Sequence, residues 1–118
     1  MSYKDWQMYQ KAYALNLEVY SLAKGYPKEE LFGMTSQMKR ASMSIVLNIA
    51  ESYSRRGSDR DVKRFLVISI GSCDELNVLL DMSRDVRYIS EGQYAKVYEK
   101  LDEVRRMLVS FKNKLRTE

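Results

Sequence analysis

Residues 37–51 read Gln37-Met38-Lys39-Arg40-Ala41-Ser42-Met43-Ser44-Ile45-Val46-Leu47-Asn48-Ile49-Ala50-Glu51. Four polar residues recur through this apolar run, at Arg40, Ser44, Asn48 and Glu51, and Arg55 extends the line. The steps are four, four, three and four. On a helix of about 3.6 residues per turn that spacing puts all five on one face. Met38, Ala41, Met43, Ile45, Val46, Leu47, Ile49, Ala50 and Tyr53 cover most of the remaining circumference. A helix so apolar is expected to be buried on several sides at once. Its polar residues then need partners, because an unpaired buried polar group costs about 1–3 kcal/mol. The stripe is therefore either a structural hydrogen-bond seam or a binding surface, and in an assembly it can be both. Glu75 is the expected partner for its charges.

The rest of the chain repeats the helical period. Met8, Ala12, Leu15, Val19 and Leu22 form a coiled-coil-like seam in the first helix, expected from about Trp6 to Lys24 with Asp5 as N-cap. Gly25 and Pro27 stop it. A connector over residues 25–34 leads to Thr35, the expected N-cap of a second helix ending near Ser54. Ser58, three residues before Asp61, starts a third helix from about Asp59 to Val86. Its apolar line is Val62, Phe65, Leu66, Ser69, Cys73, Leu76 and Leu80. Ser90 and Gln93 form a capping box for a fourth helix, expected to reach about Arg116. There Val97, Leu101, Val104, Leu108, Phe111 and Leu115 alternate steps of four and three. Four long helices and short loops predict an all-α, up-down-up-down four-helix bundle, a single domain over residues 1–118.

Composition narrows the chemistry. Histidine is absent, which removes the commonest general base and His-based metal sites. Cys73 is the only cysteine and reads as a buried, inert thiol. The adjacent carboxylates Asp74-Glu75 and Glu29-Glu30 do not face each other on a helix. No phosphate-cradling glycine loop is present. The expectation is a non-enzyme with no cofactor and no metal. No apolar run is long enough to span a membrane, and no signal peptide is evident, so the cytoplasm is the expected location.

Charge is uneven. The formal net charge is +4, and residues 34–70 hold seven basic and three acidic groups. Arg55, Arg56, Arg60, Lys63 and Arg64 crowd one loop and the helix start after it. Cations at a helix N-terminus oppose the macrodipole, which hints at a use elsewhere. The guanidinium fork matches phosphate, so these five are the candidate nucleic-acid contact. Lys112, Lys114 and Arg116 read instead as charge compensation at a helix C-terminus. Trp6, Tyr9, Tyr13, Leu17 and Tyr20 form a second apolar line on the first helix. One bundle needs only one such line per helix, so the second is the expected oligomer interface.

The run from Gln37 through Asn48-Ile49-Ala50-Glu51 resembles the signature of small four-helix-bundle proteins encoded in 23S ribosomal-RNA intervening sequences. Trp6-Gln7, Lys11-Ala12, Tyr26-Pro27-Lys28-Glu29-Glu30, Phe32-Gly33, Arg64-Phe65-Leu66, Gly71-Ser72 and Glu75-Leu76 are similar to further parts of that pattern. The family usually places Gly after Asn-Ile-Ala-Glu, where this chain has Ser52. The same fold family includes the accessory variability proteins of diversity-generating retroelements. The resemblance implies a homopentameric ring that binds RNA or RNA–DNA hybrid. It also implies the alternative of an adaptor for a reverse transcriptase.

Overall fold

The computed structural model describes residues 1–116, and four long helices hold most of them. They are α1 (Gln7–Ala23), α2 (Met34–Ser54), α3 (Asp59–Asp85) and α4 (Glu91–Asn113). Each packs against two neighbours: α1 and α3 both contact α2 and α4. No strand is present among the described residues. The result is an up-down-up-down bundle measuring 45 × 25 × 22 Å. The predicted apolar lines meet at its axis. Leu15, Ile45, Ile49, Leu66, Leu76, Leu101 and Leu108 are fully buried there. Each such side chain contributes about 1.5–3 kcal/mol relative to exposure.

Two predicted caps are observed and two are replaced. The Ser58 hydroxyl accepts from Asp61 N–H at 3.3 Å, and Ser90 and Gln93 close their box at 3.1 and 2.8 Å. Asp5 does not cap α1. It sits in a 3-10 turn, Tyr3–Asp5, and accepts from Ser2 N–H at 2.9 Å. Trp6 is extended (φ −70°, ψ 126°) and breaks the chain between turn and helix, because its indole packs on Tyr53 and Phe111. Thr35 is likewise displaced: it lies buried inside α2, which begins at Met34. The cap comes from Glu30, whose carboxylate accepts from Met34 N–H at 2.9 Å and from the Tyr88 hydroxyl at 2.7 Å. These two bonds hold the Glu30 carboxyl below the usual carboxylate range. Gly33 permits this approach, since a Cβ there would stand 2.7 Å from Glu30 Oε1.

At the far end, α4 stops at Asn113, short of Arg116. Arg116 N–H instead donates to the Asp59 carboxylate at 2.9 Å, tying the tail to the start of α3. Ser52, where the pattern it resembles has Gly, is fully buried within α2 and donates to the Ile49 carbonyl at 2.7 Å.

α3 ends in a Schellman turn. Tyr88 N–H reaches the Ser83 carbonyl at 2.9 Å and Arg87 N–H reaches that of Arg84 at 3.0 Å. This turn puts Arg87 at φ 66°, where glycine is the favoured residue. Arg87→Gly is expected to stabilise the fold by roughly 0.5–1 kcal/mol, because relief of the left-handed strain exceeds the added unfolded-state entropy. A urea midpoint equal to or below the parent's would contradict this.

Candidate nucleic-acid interface and protomer surface

The polar stripe on α2 is not one seam. Ser44 and Asn48 are half-buried at the contact with α3. The Ser44 and Ser72 hydroxyls lie 2.7 Å apart across it, and Asn48 Nδ2 donates to the Ser44 carbonyl at 2.8 Å. Deeper in the same contact, the Ser69 hydroxyl donates to the Ile45 carbonyl at 2.7 Å. Four residues of helix overshoot a full turn by about 40°, so the ends of the stripe swing away from this contact. Glu51 pairs with Arg55 at 3.0 Å on the surface. Arg40 and Glu75 are both exposed, and no ion pair joins them. Asn48→Leu then costs about 0.5–1.5 kcal/mol, the value of a partly exposed hydrogen bond. Chemical denaturation measures it, and an unchanged midpoint would remove Asn48 from the seam.

The expected burial of α2 on several sides is also corrected. Its outer face leaves Leu47 60% and Met43 40% exposed. The second apolar line of α1 divides in the same way. Trp6 packs on Tyr53 and Phe111, Tyr9 on Tyr3, and the Tyr20 hydroxyl meets Met43 Sδ at 2.9 Å. Those three stabilise their own bundle, because the N-terminal turn and the α2 edge cover them. Tyr13 and Leu17 stay exposed. Exposure continues on α3 at Val67, Ile68, Val78 and Met82, residues not singled out from the sequence. Between them lies Gly71, with open space where a Cβ would stand. By contrast the outward residues of α4 are mostly charged or small, Tyr98 being the one large exposed apolar side chain there. Three consecutive helices thus present apolar side chains to the outside.

The basic cluster gathers at the end formed by the start of α1, the end of α2, the start of α3 and the end of α4. Contacts of Trp6 with Tyr53 and Phe111, and of Arg116 with Asp59, bring these four together. Arg55 and Arg64 hold their guanidinium carbons 5.1 and 4.9 Å from the Phe65 ring centroid. Arg56 stacks at 3.7 Å on Tyr53 and donates from Nε to its carbonyl at 3.0 Å. Stacking fixes each planar fork while leaving other N–H groups for an anion. Arg60 is exposed and Lys63 half-buried. Lys112, Lys114 and Arg116 join them, which the sequence reading assigned to helix compensation alone. Antiparallel packing was the available signal, since it puts the end of a fourth helix beside the start of a third. Among the described residues, Asp5, Glu51, Asp59 and Asp61 are the acids at this end. The opposite end balances Lys24, Lys28, Arg84 and Arg87 against Glu29, Glu30, Asp85 and Glu91. Charge is therefore polarised along the bundle.

Cys73 is fully buried, and burial, with Asp74 adding, pushes its thiol up to about 12, so it is protonated and inert at neutral pH. No group of three or more Cys, Asp and Glu side chains among the described residues is placed to hold a metal ion. No helix among them is long and apolar enough to cross a membrane.

The sequence profile of the family described as "23S rRNA-intervening sequence protein" matches residues 4–110. Among curated proteins, none matches the chain. The bundle is similar to the crystal structure of a protein of unknown function from the S23 ribosomal protein family of Bacteroides thetaiotaomicron VPI-5482. That match has a TM-score of 0.81 at 24% identity, covering 89% of this chain and 97% of the other. The fold agrees with this likeness, and the profile spans all four helices: the chain belongs to the 23S rRNA-intervening sequence protein family.

Proposed function

We propose that the protein is a non-enzymatic, homo-oligomeric scaffold of the cytoplasm that binds structured RNA or RNA–DNA hybrid through its basic end. The observation that carries the reading is the polarised charge. Arg55, Arg56, Arg60, Lys63 and Arg64 are joined by Lys112, Lys114 and Arg116 at one pole of the bundle, with the other pole balanced. Phosphate neutralisation by such a cluster releases counterions and is largely independent of sequence. Assembly is supported by the exposed apolar residues of α1, α2 and α3. A pentameric ring, as the family resemblance implies, would repeat the basic pole around an axis and raise avidity.

Titration of labelled RNA and RNA–DNA hybrid at two salt concentrations tests the reading. Binding is expected for both, weakening steeply with salt. Absence of binding at low salt would refute it. One observation favours a second reading, an adaptor for a reverse transcriptase. Phe32 is 91% exposed and Leu31 54% exposed at the end opposite the basic cluster. An apolar tip of that kind suits a protein partner, and failure of RNA binding would bring this reading forward.

A further inference from the structure

A groove of about 540 Å³ runs between the start of α1 and the last turns of α4. Trp6, Met8, Met107 and Phe111 supply its apolar wall. Gln7, Glu103, Arg106, Ser110 and Lys114 supply its polar rim. That volume and that mixture fall within the range of small-ligand sites, roughly 300–1,000 Å³. Trp6 is half-buried, its indole tilted against Phe111 with centroids 5.2 Å apart. Arg106 pairs with Asp102 at 2.9 Å, yet its side chain is 70% exposed. Arg106, Ser110 and Lys114 follow one another at four-residue steps, a line of about 12 Å along the outside of α4. The line ends at the basic pole, beside Arg116.

We propose that this groove seats one unpaired nucleobase of a single-stranded RNA segment. The inference rests on the nucleic-acid reading of the basic pole. The apolar wall takes the face of the base, which every base presents regardless of sequence. Gln7, Ser110 and Glu103 offer donors and acceptors to its edge. Lys114 and Arg106 meet the flanking phosphates and lead the strand onto the pole. A paired base cannot reach the groove, because it stays stacked inside its helix. The protein thus favours RNA with an unpaired segment over continuous duplex.

Trp6 is the only tryptophan of the chain and reports directly on the groove. Its emission is followed while the parent protein is titrated with a single-stranded oligoribonucleotide, and separately with the same sequence as a full duplex. Fluorescence anisotropy of end-labelled RNA reports binding independently. The single strand is expected to quench the indole and the duplex to leave it unchanged. Ser110→Phe fills the groove from an exposed position, so the bundle stays folded. It is expected to lower single-strand affinity by about 5- to 150-fold and to leave duplex affinity unchanged. Single-strand binding with unchanged emission, or equal binding by Ser110→Phe, overturns the groove and leaves the basic-pole reading standing. No binding of either RNA overturns both.

Discussion

Leu17→Glu and Val78→Glu, each a monomer of 13.9 kDa by itself, are expected to combine on mixing into a one-to-one dimer. The apolar exposure lies on α1 and α2 at Tyr13, Leu17, Met43 and Leu47, and on α3 at Val67, Ile68, Val78 and Met82. In a ring every protomer uses one face toward the copy ahead and another toward the copy behind. Leu17→Glu spoils the first face and Val78→Glu the second. An uncompensated charge in an apolar contact costs about 3–5 kcal/mol, which is roughly a hundred- to several-thousand-fold in affinity. Neither variant alone can then form any junction. A mixture holds one intact pairing, the α3 face of the first variant against the α1–α2 face of the second. Both outer faces of that pair are spoiled, so growth stops at two copies. Light scattering at low micromolar concentration distinguishes the outcomes. A two-fold arrangement joining like faces gives no such rescue, and a parent protein that is already monomeric refutes assembly altogether.

Helix number, the core lines and two of the caps were legible because each rests on local rules. A four-three apolar spacing determines which side of a helix is wet, and Ser58 and Ser90 cap within three residues of themselves. Misreadings arose where a distant group took over. Asp5 lost its role because Trp6 found Tyr53 and Phe111, far away in sequence. Thr35 lost its role because Glu30 reached Met34 beneath Gly33. The stripe on α2 was legible as a helical face but not as a set of partners. Ser44 met Ser72, whereas Arg40 and Glu75 stayed apart. The exposed apolar face of α3 went unseen because Val67, Ile68, Val78 and Met82 look like core until the first apolar line has been placed. Gly71, in the middle of that face, has no neighbour inside the protomer within reach of an added Cβ.

The basic pole makes the second large prediction. Replacing Arg55, Arg56 and Arg60 by Gln removes three cations from the end of α2 and the start of α3. Replacing Lys112, Lys114 and Arg116 by Gln removes three from the end of α4. If both sets face the same RNA, each triple variant flattens the plot of log affinity against log salt. The expected change is about two for a single strand, given a slope of roughly −0.7 per phosphate neutralised. The change is larger if several protomers engage one strand. Neither set lies in the core, so thermal melting and oligomer mass are expected to stay at the parent's values. A third variant provides the control. Lys24, Lys28 and Arg87 lie at the opposite end, and their replacement by Gln removes the same formal charge. A diffuse field of the whole molecule would respond equally to all three variants. A localised contact responds to the first two and not to the third. An effect confined to the Arg55 set would return Lys112, Lys114 and Arg116 to helix compensation. Equal loss in the control variant would leave the pole without a role.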